Sequence, residues 1–594
     1  MKKVFVFIIT VLLSIMSLAS CNSVSKSSIA LELEDLSFSL FAHNANAKKA
    51  FIPSQGKSPY MFFSFDDSFH LFVDEYKDTS LALCVDIDFA KDRTDVKNRG
   101  KENKIAFGFL TKDDFTSDGL LKTGTLVSRS MVTGFIDSAD FQEGMSLSFS
   151  LPQDTKIKGF FLYATEDLYL KKARIQKPSL GWSFAEERAF FAFSAMGGEI
   201  PSSLAQAQDE GLSLALSSSL ELDTKESYLS LAFSPQEQLS HPERYPSVVL
   251  DLDKESFTIQ RSPLQTKAHI YASQMLSPTA QVFCSQNKEM LSELLFMSNE
   301  GIRKKTSTEK SLEPLHTDPG LIIIWDKASW RQESYELFSW ELFPSVLIMD
   351  FKNYAIQDDY LKRLAFFAEK KGYTGRLSYD DEIKSMHGFN AHDYSAETLA
   401  NFFALAEKEN FPLNQSELHL RSILLENGVI RFENGKLVEG AGALLSISQE
   451  STLALRYTLM GHEAYHGIYF TEKLFRDHTL EVFNASDPNS RDFLMGYFTT
   501  SETLNYDIEN DYLLKNEFMA YLLQQSIANT GQYFVNIASR PSVIKNLPEL
   551  SLYVRNSRGS GFTEACRELD AFIYRSYGLA AGRVRLVGRT RSSF

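Results

Sequence analysis

From about Leu31 to Met275, apolar and polar residues alternate in short segments broken by turn-forming residues, the pattern of half-buried antiparallel strands. Leu36 to Phe41, Leu81 to Asp88, Met145 to Leu151, Lys158 to Ala164, Tyr228 to Phe233 and Ser247 to Leu252 carry it most clearly. The stretch is long for a single sandwich and Pro178 to Trp182 offers a break, so two β-domains are expected, at 31–177 and 178–275. From 276 to 318 the composition turns polar, with Arg303-Lys304-Lys305, and a connector is expected. Beyond it the pattern changes. Leu321 to Trp325 and Val346 to Met349 are continuous apolar runs suited to buried strands. Between Asp358 and Lys371 the period becomes helical, with Leu361, Leu364, Phe367 and Ala368 on one face and Gly372 placed for a C-terminal cap. Ser395, with Glu397 in the first turn, opens a second helix at Ala396 to Glu409. Val429 to Phe432 and Lys436 to Val438 flank Asn434-Gly435 as a hairpin, and Ala443 to Ser448 follows as a candidate edge strand. The predicted fold class is multidomain: all-β sandwich domains in the amino-terminal half, then an α+β domain over 319–594.

Composition sharpens this picture in two respects. The 594 residues are 44% hydrophobic and 23% charged, proportions of a globular chain with sizeable cores, which exclude a disordered or many-spanning membrane protein. Aspartate and glutamate exceed lysine and arginine by 76 to 61, and a net charge of −15 repels phosphate backbones, so nucleic acid is not an expected partner. The basic tail of Arg583, Arg585, Arg589 and Arg591 is too short to reverse that.

The amino terminus reads as a targeting segment: Met1-Lys2-Lys3, an apolar run from Val4 to Ala19, then Leu18-Ala19-Ser20-Cys21. This order resembles the lipobox of bacterial lipoprotein signal peptides. The resemblance implies removal of residues 1–20, lipid on Cys21, a flexible tether over 21–30, and a membrane partner held through the lipid at the extracytoplasmic cell envelope. Three other cysteines, Cys84, Cys284 and Cys566, lie hundreds of residues apart, which makes neither a disulfide framework nor a CxxC metal site; one bridge among them stays open.

The chemistry concentrates at Gly461-His462-Glu463-Ala464-Tyr465-His466-Gly467. On a helix, residues four apart share a face, so the imidazoles of His462 and His466 converge where one zinc ion can sit, and Glu463 projects beside them. The flanking Tyr457, Leu459, Met460, Ile468, Tyr469 and Phe470 describe a mostly buried helix, in which unpartnered imidazoles and a carboxylate would be costly without a metal. A third ligand is required. Glu517 stands in the middle of the apolar helical stretch Asp511 to Leu523, with Glu502, Glu509 and His478 as competitors.

The pair of motifs, HExxH and Asn516-Glu517-Phe518-Met519-Ala520, resembles the gluzincin metallopeptidases, in which a glutamate on a second helix completes the metal site. The resemblance covers at most residues 430–530. It implies zinc bound by His462, His466 and Glu517, with Glu463 as general base. Where many gluzincins place an aspartate four residues after the ligand glutamate, this chain has Tyr521, for which an orienting or oxyanion-stabilising part is expected. In zincins the substrate lies as an extra strand along an exposed sheet edge; Ala443 to Ser448 is read either as that edge or, equally, as an ordinary core strand. His387, Asn390, His392 and Asp393 show no regular ligand spacing and are expected in turn or capping roles.

The expected function is zinc-dependent hydrolysis of peptide or protein substrates at the bacterial cell envelope, by a zinc-activated water with Glu463 as base. The alternative is a non-catalytic surface-binding lipoprotein, for a glycan or protein ligand, with a structural zinc site. The β-domains are expected to bind glycan or to act as spacers; Lys158 to Tyr163 with Leu168 to Ala173 is similar to the last strands of galactose-binding-like modules but carries no ligand residues.

Overall fold

A computed structural model of the chain describes residues 312–386, 388–501, 504, 506 and 510–591, and, from the amino-terminal half, strands and some connections between 29 and 297. The signal segment, Cys21, His387, Glu502 and Glu509 lie outside the described residues. The chain divides into two compact units: one comprises 1–234, 250–254 and 271–306, the other 235–249, 255–270 and 307–594. Together they mix antiparallel sheets with helices, and no helix among the described residues is long and apolar enough to cross a membrane.

The first unit is built of strands. Tyr228–Phe233 buries every second residue, as its alternation predicts. Strand Leu168–Gln176 pairs with Ala82–Phe89, which pairs with Met145–Ser150. Met145–Ser150 runs parallel to Arg188–Phe193, and that strand pairs with Ser179–Ser183. The expected boundary at 177/178 therefore falls inside one sheet: Pro178 interrupts the chain locally, but strand partners are chosen by non-local packing. The connector expected from 276 contains two strands, Gln281–Gln286 and Leu291–Met297. The latter buries Leu294, Leu295 and Phe296 between Ser179–Ser183 and Tyr228–Phe233, burial that compensates its polar neighbours.

The second unit holds a mixed five-stranded sheet, β1 (Leu315–Thr317), β2 (Tyr335–Trp340), β3 (Phe343–Phe351), β4 (His392–Ser395) and β5 (Ala443–Ser448), in the order β1-β2-β3-β5-β4. Strand β5 is parallel to β3 and antiparallel to β4. Ala443 to Ser448 is thus an interior strand, buried throughout, and β4 forms the edge on that side among the described residues. Leu321 to Trp325 is also corrected: Pro319–Ile323 is a short helix, with Asp318 accepting a 2.7 Å hydrogen bond from the Gly320 amide and Pro319 at the first turn. A fully buried apolar run reads the same in either conformation, and the cap decides.

Helix α1 (Tyr354–Glu369) begins one turn earlier than its apolar spacing suggests, because Asn353 caps it through the Ile356 amide. Helix α2 (Ala396–Glu409) starts at the Ser395 cap. Both pack on one sheet face, where Leu361, Leu364, Leu399 and Phe403 join Leu347, Met349, Tyr394 and Leu444 in one core. The hairpin Ile430–Glu433 and Lys436–Glu439 turns through Asn434 and Gly435 at φ 51° and 75°, the two left-handed residues of a tight primed turn.

The opposite face takes helix α3 (Leu453–Thr471). Its contact point is Gly467: a Cβ there would lie 3.2 Å from Val346 Cγ1 and 3.3 Å from Leu445 Cδ1, so a bare backbone lets the helix seat on β3 and β5. Near its start, buried Arg456 grips Asp350 of β3 with two 2.8 Å bonds and reaches the carbonyls of Ile322 and Ile323. The basic tail is not loose: Val587–Arg591 is a strand paired with Glu255–Gln260 of the same unit.

Candidate metal centre

Helix α3 is fixed at its start by the Thr452 cap and Arg456, and in its middle by Tyr465, whose hydroxyl donates to the Ala580 carbonyl at 2.7 Å. The helical period then stacks His462 on His466, with ring centroids 4.7 Å apart and planes at 78°. A second apolar helix, α4 (Asp511–Leu523, capped by Asn510), brings Glu517 against both rings. Glu517 Oε2 lies 3.5 Å from His462 Nε2, and its Oε1 lies 3.7 Å from His466 Nε2. His462 is the most exposed of the three, at 14%, against 0% for His466 and 3% for Glu517, so the centre opens on the His462 side.

A second group of donors shares His466. Asp393 and Glu463 lie with it inside a 4.8 Å span, Asp393 Oδ2 stands 3.7 Å from His466 Nδ1, and the Asp393 and Glu463 carboxyls hydrogen-bond each other. Strand alternation explains how Asp393 arrives there. His392 and Tyr394 point to the α1–α2 face, where they bond each other at 2.8 Å; Asp393, between them, emerges on the α3 face opposite Leu445.

The electrostatics are lopsided. Burial pushes the Glu463 carboxyl well above its ordinary value, and the charges of Asp393 and Glu517 push it further. Asp393 is raised by burial and by Glu517, against the pull of the two histidines. Glu369, at the end of α1, is raised well above its ordinary value by burial and by Asp393 and Glu517. Glu517 alone goes the other way: burial would raise it, but His462, His466 and a bond from Tyr506 hold it below the ordinary carboxylate value. One anionic carboxylate therefore faces two imidazoles inside a shell of further acids.

The donor set fits a divalent metal. His466 is fully buried, yet both of its ring nitrogens lack a hydrogen-bond partner, as do His462 Nδ1 and Glu517 Oε2. Buried polar atoms are rarely left so; a cation shared by the two Nε2 atoms and Glu517 would satisfy His466 Nε2 and the Glu517 oxygen, while His466 Nδ1 faces Asp393 on the other side of the ring.

Of the residues singled out from the sequence, His462, His466, Glu517 and Glu463 come together here. Tyr521 sits one turn along α4, its ring edge-on to His462 at 5.3 Å and packed on Phe498 at 5.1 Å. His478 does not join the centre: it stacks on Phe572 and pairs with Glu481. Asp393 is the main departure, expected in a turn and found at the metal-ligand cluster. Glu369 and Tyr506 were not anticipated either. His392 and Asp393 were expected in turn or capping roles, and only the strand seen in the structure puts Asp393 on the face opposite His392, where α3 covers it.

The chain matches no family model, no curated protein and no solved structure.

Proposed function

We propose that this chain is a zinc-dependent peptidase of gluzincin type, carried as a lipoprotein at the bacterial cell envelope. The observation that carries the reading is the convergence of His462, His466 and Glu517, in which buried His466 Nε2 and Glu517 Oε2 have no hydrogen-bond partner. These residues would hold the zinc ion, which when bound supplies Lewis acidity and makes water nucleophilic at neutral pH. The chain's own residues do the rest. Glu463, one residue from His462 on the same helix, takes a proton from the attacking water and passes it to the leaving amine. The Asp393 contact keeps that carboxyl beside the imidazoles. Tyr521 braces His462 by ring contact, and Tyr506 holds Glu517 by its hydroxyl. In this reading an extended peptide lies along β4, the edge strand among the described residues, rather than along β5. In this reading the strands of the first unit form sandwich domains that bind glycan or act as spacers, the second unit is a zincin-like domain, and Cys21 carries the lipid.

The deciding experiment is Glu463→Gln in the full chain, with labelled casein as a disordered substrate and zinc measured by atomic absorption. The expected result is a loss of cleavage of about 10²- to 10⁴-fold with zinc retained at about one per chain. Cleavage unchanged by the substitution removes Glu463 as base. Zinc bound by a wild-type chain that cleaves nothing favours the structural-zinc binding protein instead. For the anchor, Cys21→Ala should move the protein from the membrane to the soluble fraction.

A further inference from the structure

Resting on that zinc reading, we propose that Asp393 is a positioning residue of the centre: from the edge strand it fixes the tautomer of His466 and holds Glu463 beside the ligands. The His466 ring lies wholly buried between two carboxylates, with Glu517 Oε1 3.7 Å from Nε2 and Asp393 Oδ2 3.7 Å from Nδ1. A neutral imidazole has one proton and one lone pair. If Nε2 gives its lone pair to the metal beside Glu517, the proton sits on Nδ1, and the carboxylate facing it is Asp393. The same carboxyl adjoins Glu463 and hydrogen-bonds it when the two share a proton, so one side chain touches both a ligand and the base.

The backbone makes this placement firm. Asp393 pairs in register with Leu445, whose side chain packs on Gly467, the residue after His466. The strand that carries Asp393 and the helix that carries His466 are thus joined through a common neighbour. A gluzincin-type second helix would provide an aspartate four residues beyond the ligand glutamate; here Tyr521 occupies that place and touches the other histidine, His462. The carboxylate that supports the ligands comes instead from a strand.

The test compares wild type, Asp393→Asn and Asp393→Ala as full chains. Zinc affinity is measured by competition with a chromophoric chelator, and the thermal midpoint of each metal-free protein by circular dichroism. Asp393→Ala should weaken zinc binding about 10- to 100-fold. Its metal-free midpoint should be unchanged or higher, because a buried acid among acids has gone. Asp393→Asn, isosteric and still able to accept the Nδ1 proton through its amide oxygen, should lose less than the alanine variant. Zinc affinity equal to wild type in both variants overturns the proposal, as does a lowered metal-free midpoint with affinity unchanged. If the alanine variant does not fold, Asp393→Val, a strand-forming residue with no acceptor, decides: wild-type zinc affinity then refutes the role. A wild-type chain that binds no zinc sinks the metal reading and this inference together, whereas zinc binding indifferent to Asp393 sinks only the inference.

Discussion

Helix α3 carries two buried polar clusters, and they are built on opposite principles. Near its start, Arg456 meets Asp350 with two 2.8 Å bonds, gives two further N–H groups to the Ile322 and Ile323 carbonyls, and leaves Asp350 a further 2.6 Å bond from Gln449. Charge is matched and the donors are used. Further along, His462, Glu463 and His466 face Glu517, Asp393 and Glu369, where acids outnumber cations and imidazole nitrogens lack partners. The difference teaches how to read buried polarity. A matched cluster organises the fold, and removing half of it leaves a stranded charge. An unmatched cluster lowers stability as it stands and gains it when a ligand of the right charge arrives.

The contrast is broken most severely at the matched end. Arg456→Met should destabilise the second unit by about 3–5 kcal/mol, because Asp350 is left buried without its cation, as a fall in the denaturation midpoint would report. At the unmatched end, chelation of zinc from protein prepared with the metal at about 100 times its dissociation constant should cost about 2.7 kcal/mol, seen as a lower thermal midpoint restored by zinc. Arg456→Met should leave that zinc-dependent increment in place wherever the variant still folds.

A finer test uses pH. Glu463, Asp393 and Glu369 titrate above the ordinary carboxylate range when folded, so each favours the folded state below about pH 4 and loses that contribution as pH rises toward its folded value. Glu517, held low, works in the opposite direction. Asp318, Asp350, Glu417 and Asp570, raised by burial elsewhere in the unit, act in the same sense, so the thermal midpoint of the metal-free protein should fall between about pH 4 and about pH 7, and zinc should flatten the part of that slope that belongs to the centre. A midpoint that rises over that interval would refute the charge imbalance. The smallest effect is expected from Glu369→Gln, which removes one acid facing Asp393 and Glu517. It should stabilise the metal-free protein by about 1 kcal/mol in urea denaturation, with little change once zinc is bound.

Much of the site was legible because it is local. The four-residue spacing of His462 and His466 needs only a helix to stack the rings, and the apolar run around Glu517 announces a buried carboxylate. The cap at Ser395 and the left-handed pair Asn434-Gly435 likewise decide their elements from a few adjacent residues. Asp393 was not legible, since its role depends on which sheet edge β4 joins and which helix covers that face. The same blindness affected Ala443 to Ser448, whose partners on both sides lie far away in sequence, and Leu321 to Trp325, where complete burial erased the period that separates helix from strand.

By itself, then, the amino-acid order determined the alternation of the amino-terminal strands, the helix that stacks two imidazoles and the acid poised on a second helix, because each follows from backbone period and side-chain size over a few turns. Tertiary structure alone decided that Glu517 reaches both rings, that Asp393 comes from an edge strand to the other side of His466, and that Leu291–Met297 joins the first unit's sheet. Those outcomes depend on pairings between residues distant along the chain, where the gain is shared burial and no local pattern records the partner.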